Sequence, residues 1–352
     1  MSLMNNIAIL VSTIDSGGAE KQAVLLAVQL SQSARVDFVV LYCDHSEYKR
    51  NVDMLSDSKV VVHKLTGNML GKMAALRHIL NDSQSEVLLN YLTMPDIVGS
   101  LVGKSLGIKV YNGIRNSRLP KLKMLAERFA HNHLATGTIY NCYCGADYFG
   151  NLGFKKTKNI VIPNCFPDIE QPMEREARPV KTIITVGRFD PQKDYETLIK
   201  SVSLIGRTDF RLCIVGFGAL EEQIRNWVKQ YGIEDITEIH IKPDNVSELE
   251  QNADIYLSAS LFEGTSNSIM EALNWSLPVV ATNVGDNDRL VIDGVNGFLH
   301  HVADAEALAA SMAKLLDSVE LRNMMGRKSN QLLHDNYSIE IFKNRYLRLL
   351  EQ

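Results

Sequence analysis

The sequence predicts an α/β protein of two doubly wound lobes, each built on a parallel sheet. The first observation is length, since 352 residues suit two domains of ordinary size. The second is that short β-rich runs alternate with helical patterns, which is typical of parallel βαβ units. The third is a charged segment at 167–180 with three prolines and no apolar periodicity, which predicts an extended linker between two such series.

The first series of β-rich runs predicts a lobe over residues 1–166. Helical patterns lie between most of the runs that follow. In chain order we predict strands at Asn6–Val11, Asp37–Tyr42, Val60–Leu65, Glu86–Tyr91, Lys109–Asn112, His133–Gly137 and Asn159–Pro163.

The second series predicts a lobe over residues 181–336. Beyond its last strand the pattern becomes purely helical, and such helices must cover a sheet face. The predicted strands are Thr182–Gly187, Arg211–Val215, Ile236–Ile241, Asp254–Ser258, Pro278–Thr282 and a run around Phe298. The predicted final helices are Ala303–Leu316, Glu320–His334 and Ile339–Leu350.

Composition excludes several classes of protein. Hydrophobic residues make up 45% and charged residues 22% of the chain, as in packed globular proteins. A net charge of -4 argues against a nucleic-acid partner. No window reaches the roughly 18 apolar residues of a membrane-spanning helix, and the start shows no export signal. Five cysteines without a CxxC pair favour a reducing compartment, so we expect a cytoplasmic protein.

One glycine-rich loop follows the first predicted strand of the first lobe, and another follows the second predicted strand of the second lobe. Open α/β sheets bind ligands at such strand ends. Gly17 and Gly18 open a helix whose free N–H groups favour an anion, with a tight strand–helix turn as the alternative. Gly216 and Gly218 repeat the arrangement in the second lobe. Taken alone, each loop is a weak indication of a nucleotide.

Two cations follow the first strand of the second lobe. Arg188 follows the end of that strand, and Lys193 comes after a short Asp-Pro turn near a helix start. The planar donor fork of an arginine and the compact charge of a lysine together suit a diphosphate. The alternative is two solvated basic residues.

The segment 260–273 is the most informative part of the sequence. Glu263 and Gly264 end a loop, the hydroxyls from Thr265 to Ser268 predict helix capping, and Glu271 lies inside an apolar helical run. A carboxylate placed there needs donors, and the vicinal hydroxyls of a sugar can supply them. The alternative is a capped helix with Glu271 exposed.

Metal and hydrolase chemistry find little support. Asp286 and Asp288 match a DxD motif superficially, but their surroundings predict an N-capped helix followed by a turn, so we expect no metal site. Cys142 and Cys144, which we place in a helix, have no histidine near enough for zinc. None of the nine histidines lies in a metalloprotease or triad-like motif.

A basic, amphipathic stretch runs over residues 114–130. It suits docking on an anionic membrane surface. A helix packed on its own sheet has the same pattern, so that alternative stays open. The stretch interleaves Arg115, Arg118, Lys121, Lys123 and Arg128 with Leu122, Leu125 and Phe129.

These loops, in this order, resemble those of retaining glycosyltransferases of family 4, which have the GT-B fold. The resemblance rests on Gly17-Gly-Ala-Glu20, on Arg188 with Lys193, and on Glu263 and Glu271 separated by seven residues. It also includes Gly216-Phe-Gly218, Pro278–Thr282 and Asp293–Leu299, and is dense over residues 181–300. It implies two Rossmann-like lobes facing each other across a cleft, with a final helix, about 337–352, that crosses back to the first lobe.

The resemblance also implies a role for each site residue. Arg188 and Lys193 would neutralise the departing diphosphate without a metal. Glu263 would hold the donor sugar near the amides of Gly264, Thr265 and Ser266. Glu271 would accept the ribose hydroxyls, and Gly17 and Gly18 would approach from the other lobe. The base would lie near His240, Ile241 and Lys242, against Gly216 and Gly218.

The implied reaction moves a hexose or N-acetylhexosamine from a nucleoside diphosphate sugar, with UDP expected, to an acceptor hydroxyl with retention. Many relatives carry a histidine in the first-lobe loop, where this chain has Arg115 and Asn116, so Arg115 becomes the candidate cation there. The expected acceptor is a saccharide or lipid-linked saccharide of surface polysaccharide or glycolipid synthesis, with no cofactor. Peripheral contact with the inner face of the membrane is part of this hypothesis.

Two alternatives remain at this point. A sugar-nucleotide 2-epimerase of the GT-B fold has a similar length but needs acid and base residues near the sugar. A two-lobed sugar-binding protein without catalysis would explain the paired lobes but normally carries an export signal. Donor turnover without an acceptor would identify the first alternative, and binding without turnover the second.

Overall fold

The structure is a computed structural model that describes residues 6–43, 47–115 and 119–351. Two compact units divide the chain. The first unit comprises Met1–Pro167 together with Ile339–Gln352, and the second comprises Asp168–Ser338.

The first unit is built on a parallel sheet of seven strands in the order β3-β2-β1-β4-β5-β6-β7. The strand order turns back at β1, which pairs with β2 on one side and with β4 on the other. The strands are β1 (Asn6–Val11), β2 (Arg35–Val40), β3 (Val61–Lys64), β4 (Val87–Asn90), β5 (Lys109–Ile114), β6 (Gly137–Tyr140) and β7 (Asn159–Val161). The helices are α1 (Gly18–Leu30), α2 (Lys49–Ser56), α3 (Met69–Asp82), α4 (Thr93–Leu106), α5 (Lys121–Phe129) and α6 (Tyr143–Asn151).

The second unit has a parallel sheet of six strands in the order β10-β9-β8-β11-β12-β13. Its strands are β8 (Lys181–Arg188), β9 (Phe210–Phe217), β10 (Thr237–Ile241), β11 (Ile255–Ser258), β12 (Val279–Thr282) and β13 (Gly297–His300). Its helices are α7 (Tyr195–Ser203), α8 (Glu221–Gln230), α9 (Val246–Gln251), α10 (Asn267–Asn274), α11 (Asn287–Leu290), α12 (Ala305–Asp317) and α13 (Val319–Tyr337). Both units are therefore doubly wound α/β folds, as the sequence predicts.

The final helix, α14 (Ile339–Leu350), belongs to the first unit. Its buried side chains, among them Phe342 and Tyr346, lie in one core cluster with β1 and α1 residues such as Ile9 and Leu26. This helix covers apolar surface that the first sheet would otherwise expose to water.

The strand predicted at His133–Gly137 is wrong, because β6 begins only at Gly137. Residues Ala130–Leu134 continue α5 as a short π-helical turn. The buried His131 ring holds this turn, with Nδ1 2.8 Å from Thr138 Oγ1 and Nε2 3.1 Å from the Lys155 carbonyl oxygen. Burial lowers the pKa of His131 to about 4, so the ring is neutral.

The segment 168–180 has no helix or strand and is fastened to the second unit. The Arg175 guanidinium donates to the carbonyl oxygens of Trp275 at 2.8 Å and Ser276 at 2.9 Å. Arg178 pairs with the buried Asp254 at 2.6 Å, and Asp254 also accepts from the Thr182 amide at 2.7 Å. Charged side chains thus bind this segment to the edge where β8 begins.

Candidate active site

The first part of the site is the turn that follows β8. Arg188 is the last residue of the strand, and its side chain is 72% exposed. The Asp190 carboxylate accepts from the Gln192 amide at 3.1 Å and so shapes the turn Pro191–Lys193. Asp194, at φ 44°, then accepts from the Thr197 amide at 3.3 Å and begins α7. This sequence of caps fixes the backbone position of Lys193.

Lys193 and Glu263 form an ion pair at the carboxyl ends of β8 and β11. Lys193 Nζ lies 2.6 Å from Glu263 Oε1, and their side chains are only 18% and 9% exposed. The Ser260 hydroxyl donates to the same oxygen at 2.8 Å, while Gln192 Nε2 lies 3.3 Å from Oε2. Three donors therefore orient this carboxylate before any ligand binds.

Backbone contacts join the two loops that carry this pair. The Leu261 amide donates to the Gln192 carbonyl at 2.8 Å, and Gln192 Nε2 donates to the Phe262 carbonyl at 2.8 Å. Sequence reasoning missed Gln192 and Ser260, whose only signal was their position beside Lys193 and Glu263. Hydrogen bonds thus hold the two loops against each other.

The end of β12 and the loop that follows it pack against the Glu263 loop. A Cβ on Gly285, which has φ +59°, would lie 2.3 Å from the Glu263 carbonyl oxygen. The Asp286 amide donates to the Gly264 carbonyl at 3.1 Å, and the Thr282 hydroxyl donates to the Ser260 carbonyl at 2.6 Å. Only glycine fits at position 285, a requirement that the sequence analysis did not identify.

Gly216 and Gly218 permit a close approach between neighbouring backbones. A Cβ on Gly216 would lie 1.9 Å from the Gly187 carbonyl oxygen, and one on Gly218 would lie 2.4 Å from that of Phe189. The two glycines therefore allow β9 and the turn after it to lie against the end of β8. Any role in ligand contact comes in addition to this packing.

Ile241 ends β10, and Lys242 follows it at the same edge of the sheet. The Lys242 amide donates to the Gly216 carbonyl at 3.1 Å, and its Nζ lies 4.4 Å from the centre of the Phe217 ring. Phe217 and Ile241 are 46% and 38% exposed. The structure thus brings together the residues predicted for the base, with exposed apolar surface among them.

Glu271 lies in α10 and is partly buried, between the two alternatives of the sequence analysis. Burial raises the pKa of Glu250 to about 8, and the charge of Glu271 adds to this shift. Glu250, on α9, is a second carboxyl group that sequence reasoning missed, because its segment carries no motif. The Tyr256 hydroxyl, near both carboxyl groups, donates to the Val186 carbonyl at 3.1 Å.

Ser266 and Asp286 occupy the N-cap positions of α10 and α11, as the sequence predicts, but without side-chain capping hydrogen bonds. The Ser266 hydroxyl lies 3.3 Å from that of Ser268. Asp286 is 3% exposed, whereas Asp288 is exposed, so the two aspartates occupy different environments. The described residues contain no group of three His, Cys, Asp or Glu side chains that could hold a metal ion.

In the first unit, Gly17 is the N-cap of α1 and Gly18 its first residue. A Cβ on Gly18 would meet no atom within 4 Å, and one on Gly17 would meet only the Glu20 carboxylate. Protein packing therefore does not demand glycine at either position. The backbone at this helix start is open to approach by a ligand.

Arg115, the candidate cation of the first unit, is engaged with α14. Its Nη2 donates to the Tyr346 hydroxyl at 3.0 Å, its Nη1 lies 3.4 Å from Asn164 Oδ1, and its guanidinium carbon stands 4.8 Å from the centre of the Tyr91 ring. These contacts hold the final helix at the carboxyl edge of the first sheet. Its neighbours Asn116 and Arg118 lie outside the described residues.

Beside Arg115 is a buried pair of carboxyl groups. Asp96 on α4 and Glu127 on α5 are 0% and 1% exposed. Burial raises the pKa of Asp96 to about 7 and that of Glu127 to about 10, and the charge of Asp96 adds to the second shift. The Gly113 amide donates to Asp96 at 2.9 Å and favours its charged form. Neither carboxyl group was identified from the sequence.

The opposite side of α5 presents apolar side chains to solvent. Leu122, Leu125 and Phe129, which we call the apolar α5 face, are 82%, 53% and 57% exposed. The sheet of the first unit does not bury these residues, so the sheet-packing alternative is wrong for them. No helix among the described residues has the length and apolar character needed to span a bilayer.

Comparisons with known proteins bear on the family and the fold. Residues 168–332 match the family model described as "Glycosyl transferases group 1". The chain is 21% identical over 362 residues, 99% of each chain, to the GalNAc-alpha-(1->4)-GalNAc-alpha-(1->3)-diNAcBac-PP-undecaprenol alpha-1,4-N-acetyl-D-galactosaminyltransferase of Campylobacter jejuni. It is 32% identical over 190 residues, 53% of each chain, to an uncharacterized glycosyltransferase of Haemophilus influenzae. The crystal structure of Anabaena HepE in complex with UDP superposes with a TM-score of 0.80 at 16% identity, covering 98% of this chain and 99% of that one.

The fold is GT-B, and the family match together with the glycosyltransferase relatives supports glycosyltransferase activity. The residues that match the group 1 model lie within the second unit, which carries Arg188, Lys193, Glu263 and Glu271.

Proposed function

We propose that this chain is a retaining glycosyltransferase of family 4. It moves a hexose or N-acetylhexosamine from a UDP sugar to an acceptor hydroxyl, without a metal. The observation that carries this proposal is the Lys193–Glu263 pair, preorganised by Ser260 and Gln192 at the carboxyl edge of the second sheet.

The leaving diphosphate is neutralised by Arg188 and Lys193. Arg188 is exposed at the end of β8, and its Nε lies 3.5 Å from Asp190 Oδ2, so its fork can still bind a phosphate. Lys193 has three N–H donors, of which the Glu263 carboxylate takes one. Charge that develops on the diphosphate in the transition state therefore meets fixed cations.

Glu263 holds the donor sugar, and Glu271 holds the ribose. The Glu263 carboxylate is oriented by its donors, so it can accept sugar hydroxyls without first reorganising. The Ser260 hydroxyl that donates to Glu263 is fully buried and so is not open to a sugar, which favours front-face attack assisted by the departing diphosphate. Retention of configuration follows from that geometry.

The acceptor is a lipid-linked saccharide of surface polysaccharide or glycolipid synthesis. The name of the Campylobacter jejuni relative, which matches 99% of this chain, describes a saccharide on undecaprenyl diphosphate as its acceptor. The uridine donor is supported by the UDP bound in the HepE structure.

The apolar α5 face docks the enzyme on an anionic cytoplasmic membrane leaflet. Three exposed apolar side chains on one helix can insert shallowly, and the exposed Lys121 and Lys123 beside them supply the complementary charge. An enzyme that modifies a lipid-linked saccharide gains access to its acceptor in this way.

The test is a transfer assay with a panel of nucleotide sugars and a prenyl-diphosphate-linked saccharide, in which NMR determines the anomeric configuration of the product. We expect an α-linked product from an α-linked UDP sugar, with activity unchanged by EDTA. Lys193→Ala should lose about 2–4 kcal/mol of transition-state stabilisation. Lys200→Ala, at an exposed lysine of α7, is the matched control.

Three results would count against the proposal. Loss of activity in EDTA with rescue by Mn²⁺ would refute the metal-free mechanism. An inverted product would refute front-face attack. Conversion of the donor in the absence of any acceptor would identify a sugar-nucleotide epimerase instead.

A further inference from the structure

A pocket lies in the first unit, between the edge of its sheet and α14. Its volume is about 450 Å³, within the range of small-ligand sites. Gly137 begins β6, Thr157 and Lys158 precede β7, and Ile160, Val161 and Ile162 continue along β7 and past its end, so the pocket lies along the β7 edge of the sheet. Arg115, Gly17 and Gly18, the candidate site residues of the first unit, are not among the described residues that line this pocket.

The rim of this pocket is cationic. Arg345 and Arg348 stand one turn apart on α14, and neither forms an ion pair with any residue in the described ranges. The hydroxyls of Thr136 and Thr157 and the ammonium of Lys158 complete the rim. Asp and Glu are absent from the described lining, so the arginines face no compensating charge there.

Further positive charge surrounds Lys158. Its Nζ donates to the carbonyl oxygens of Ala135 at 2.6 Å and His131 at 3.2 Å, which leaves one donor of the ammonium. Burial, and then the charges of Lys155 and Lys104, lower the pKa of Lys158. The neighbourhood is therefore electropositive, and an anion in the pocket would relieve this repulsion.

The floor of the pocket is apolar. Tyr111, Ile162 and Leu349, all less than a tenth exposed, form it together with Ile160. The lining contains no carboxylate or carboxamide, the groups with which a site accepts sugar hydroxyls. An apolar floor below a rim of arginine and hydroxyl donors matches a phosphoryl group attached to an apolar chain.

We propose that this pocket binds a phosphorylated amphiphile, with the phosphoryl group held by Arg345, Arg348 and the two threonine hydroxyls and the apolar chain on the floor. This site is independent of the proposed transferase activity. Free inorganic phosphate is the competing occupant, and the test distinguishes it from a phosphate that carries an apolar chain.

The experiment is isothermal titration calorimetry on the full chain with octyl phosphate, dihexanoyl phosphatidylglycerol, inorganic phosphate and octyl glucoside. The three amphiphiles are used below their critical micelle concentrations. We expect an amphiphilic phosphate to bind at least about tenfold more tightly than inorganic phosphate, and octyl glucoside to bind no better than inorganic phosphate. Arg345→Gln/Arg348→Gln should raise the Kd of octyl phosphate about tenfold or more, because charge-assisted hydrogen bonds are lost.

Glutamine has nearly the helix propensity of arginine, so the double variant should keep α14 folded, and thermal unfolding checks this. Lys49→Gln/Lys59→Gln removes the same charge from exposed positions of the first unit that do not line the pocket, and should bind as wild type does. Arg348→Glu, at an exposed position, provides a second variant if the double variant unfolds.

Equal binding of inorganic phosphate and octyl phosphate would overturn the proposal, because the floor would then contribute nothing. Equal binding of octyl glucoside, or unchanged affinity in the arginine variants, would also overturn it. No readout uses a donor sugar, so failure here leaves the proposed transferase activity untouched, and failure of that activity leaves this site untouched.

Discussion

The buried carboxyl pair of Asp96 and Glu127 predicts that the first unit loses stability as pH rises. Both groups have a raised pKa in the native state, about 7 and about 10, chiefly because burial disfavours their charged forms. The Arg115 charge lowers the pKa of Asp96, but only as a smaller effect than burial and the Gly113 hydrogen bond. The Tyr140 hydroxyl beside the pair is neutral too, since burial raises its pKa.

The sign follows from proton counting. In the unfolded chain a glutamate releases its proton near pH 4.3, whereas native Glu127 keeps it. Stability contributed by this proton is complete below pH 4 and is lost as pH rises toward 10. Each extra native proton lowers the free energy of unfolding by about 1.4 kcal/mol per pH unit. Between pH 6 and 8 Glu127 alone should cost the first unit on the order of 3 kcal/mol.

Glu127→Gln removes this titration and retains the shape of the side chain. Native-state hydrogen exchange of α4 and α5 amides measures the first unit at pH 6 and 8. Both tryptophans, Trp227 and Trp275, lie in the second unit, so their fluorescence in urea provides an internal control. Glu86→Gln, at an exposed position, is the matched variant. If the opening free energy has the same pH slope in Glu127→Gln as in wild type, the reasoning fails.

Three further predictions concern the site and the membrane. Glu271→Gln should weaken UDP binding in calorimetry, whereas Glu263→Gln should chiefly lower kcat, because only Glu263 is proposed to lie near the reacting sugar. Equal UDP affinity in Glu271→Gln and wild type would refute the ribose role. Gly285→Ala should destabilise the second unit by about 1–3 kcal/mol, because position 285 has a positive φ and the new Cβ would lie 2.3 Å from the Glu263 carbonyl oxygen. Urea unfolding followed by tryptophan fluorescence measures this, and an unchanged midpoint would contradict the prediction. Serine at all three positions of the apolar α5 face should reduce co-sedimentation with anionic vesicles, and retained binding would exclude that face.

The sequence was most informative where a short loop carries several constraints at once. Arg188 and Lys193 are separated by a turn whose own residues cap it, so local chemistry placed both side chains correctly at the end of β8. Glu263 follows β11, the strand that pairs with β8. Because parallel strands end at one edge, their juxtaposition could be expected before any coordinates existed.

Contacts between distant segments could not be predicted in this way. Arg115 meets Tyr346, 231 residues later in the chain, and that meeting depends on where α14 packs. Glu127 has a basic, amphipathic context in the sequence, and only the fold reveals that it faces Asp96. The error at His133–Gly137 has a similar origin, since the π-helical turn there is held by Lys155 and Thr138.

The first unit is discontinuous in the chain, and this has a consequence for synthesis on the ribosome. Its last helix follows Ser338, the end of the second unit. At the usual 5–20 residues per second, the residues between Pro167 and Ile339 take roughly 10–30 s to translate. During that interval the groove that Phe342 and Tyr346 later fill stays open to water and to other chains. The second unit, whose sequence is continuous, can fold first, so chaperone demand should concentrate on the half that was made earliest.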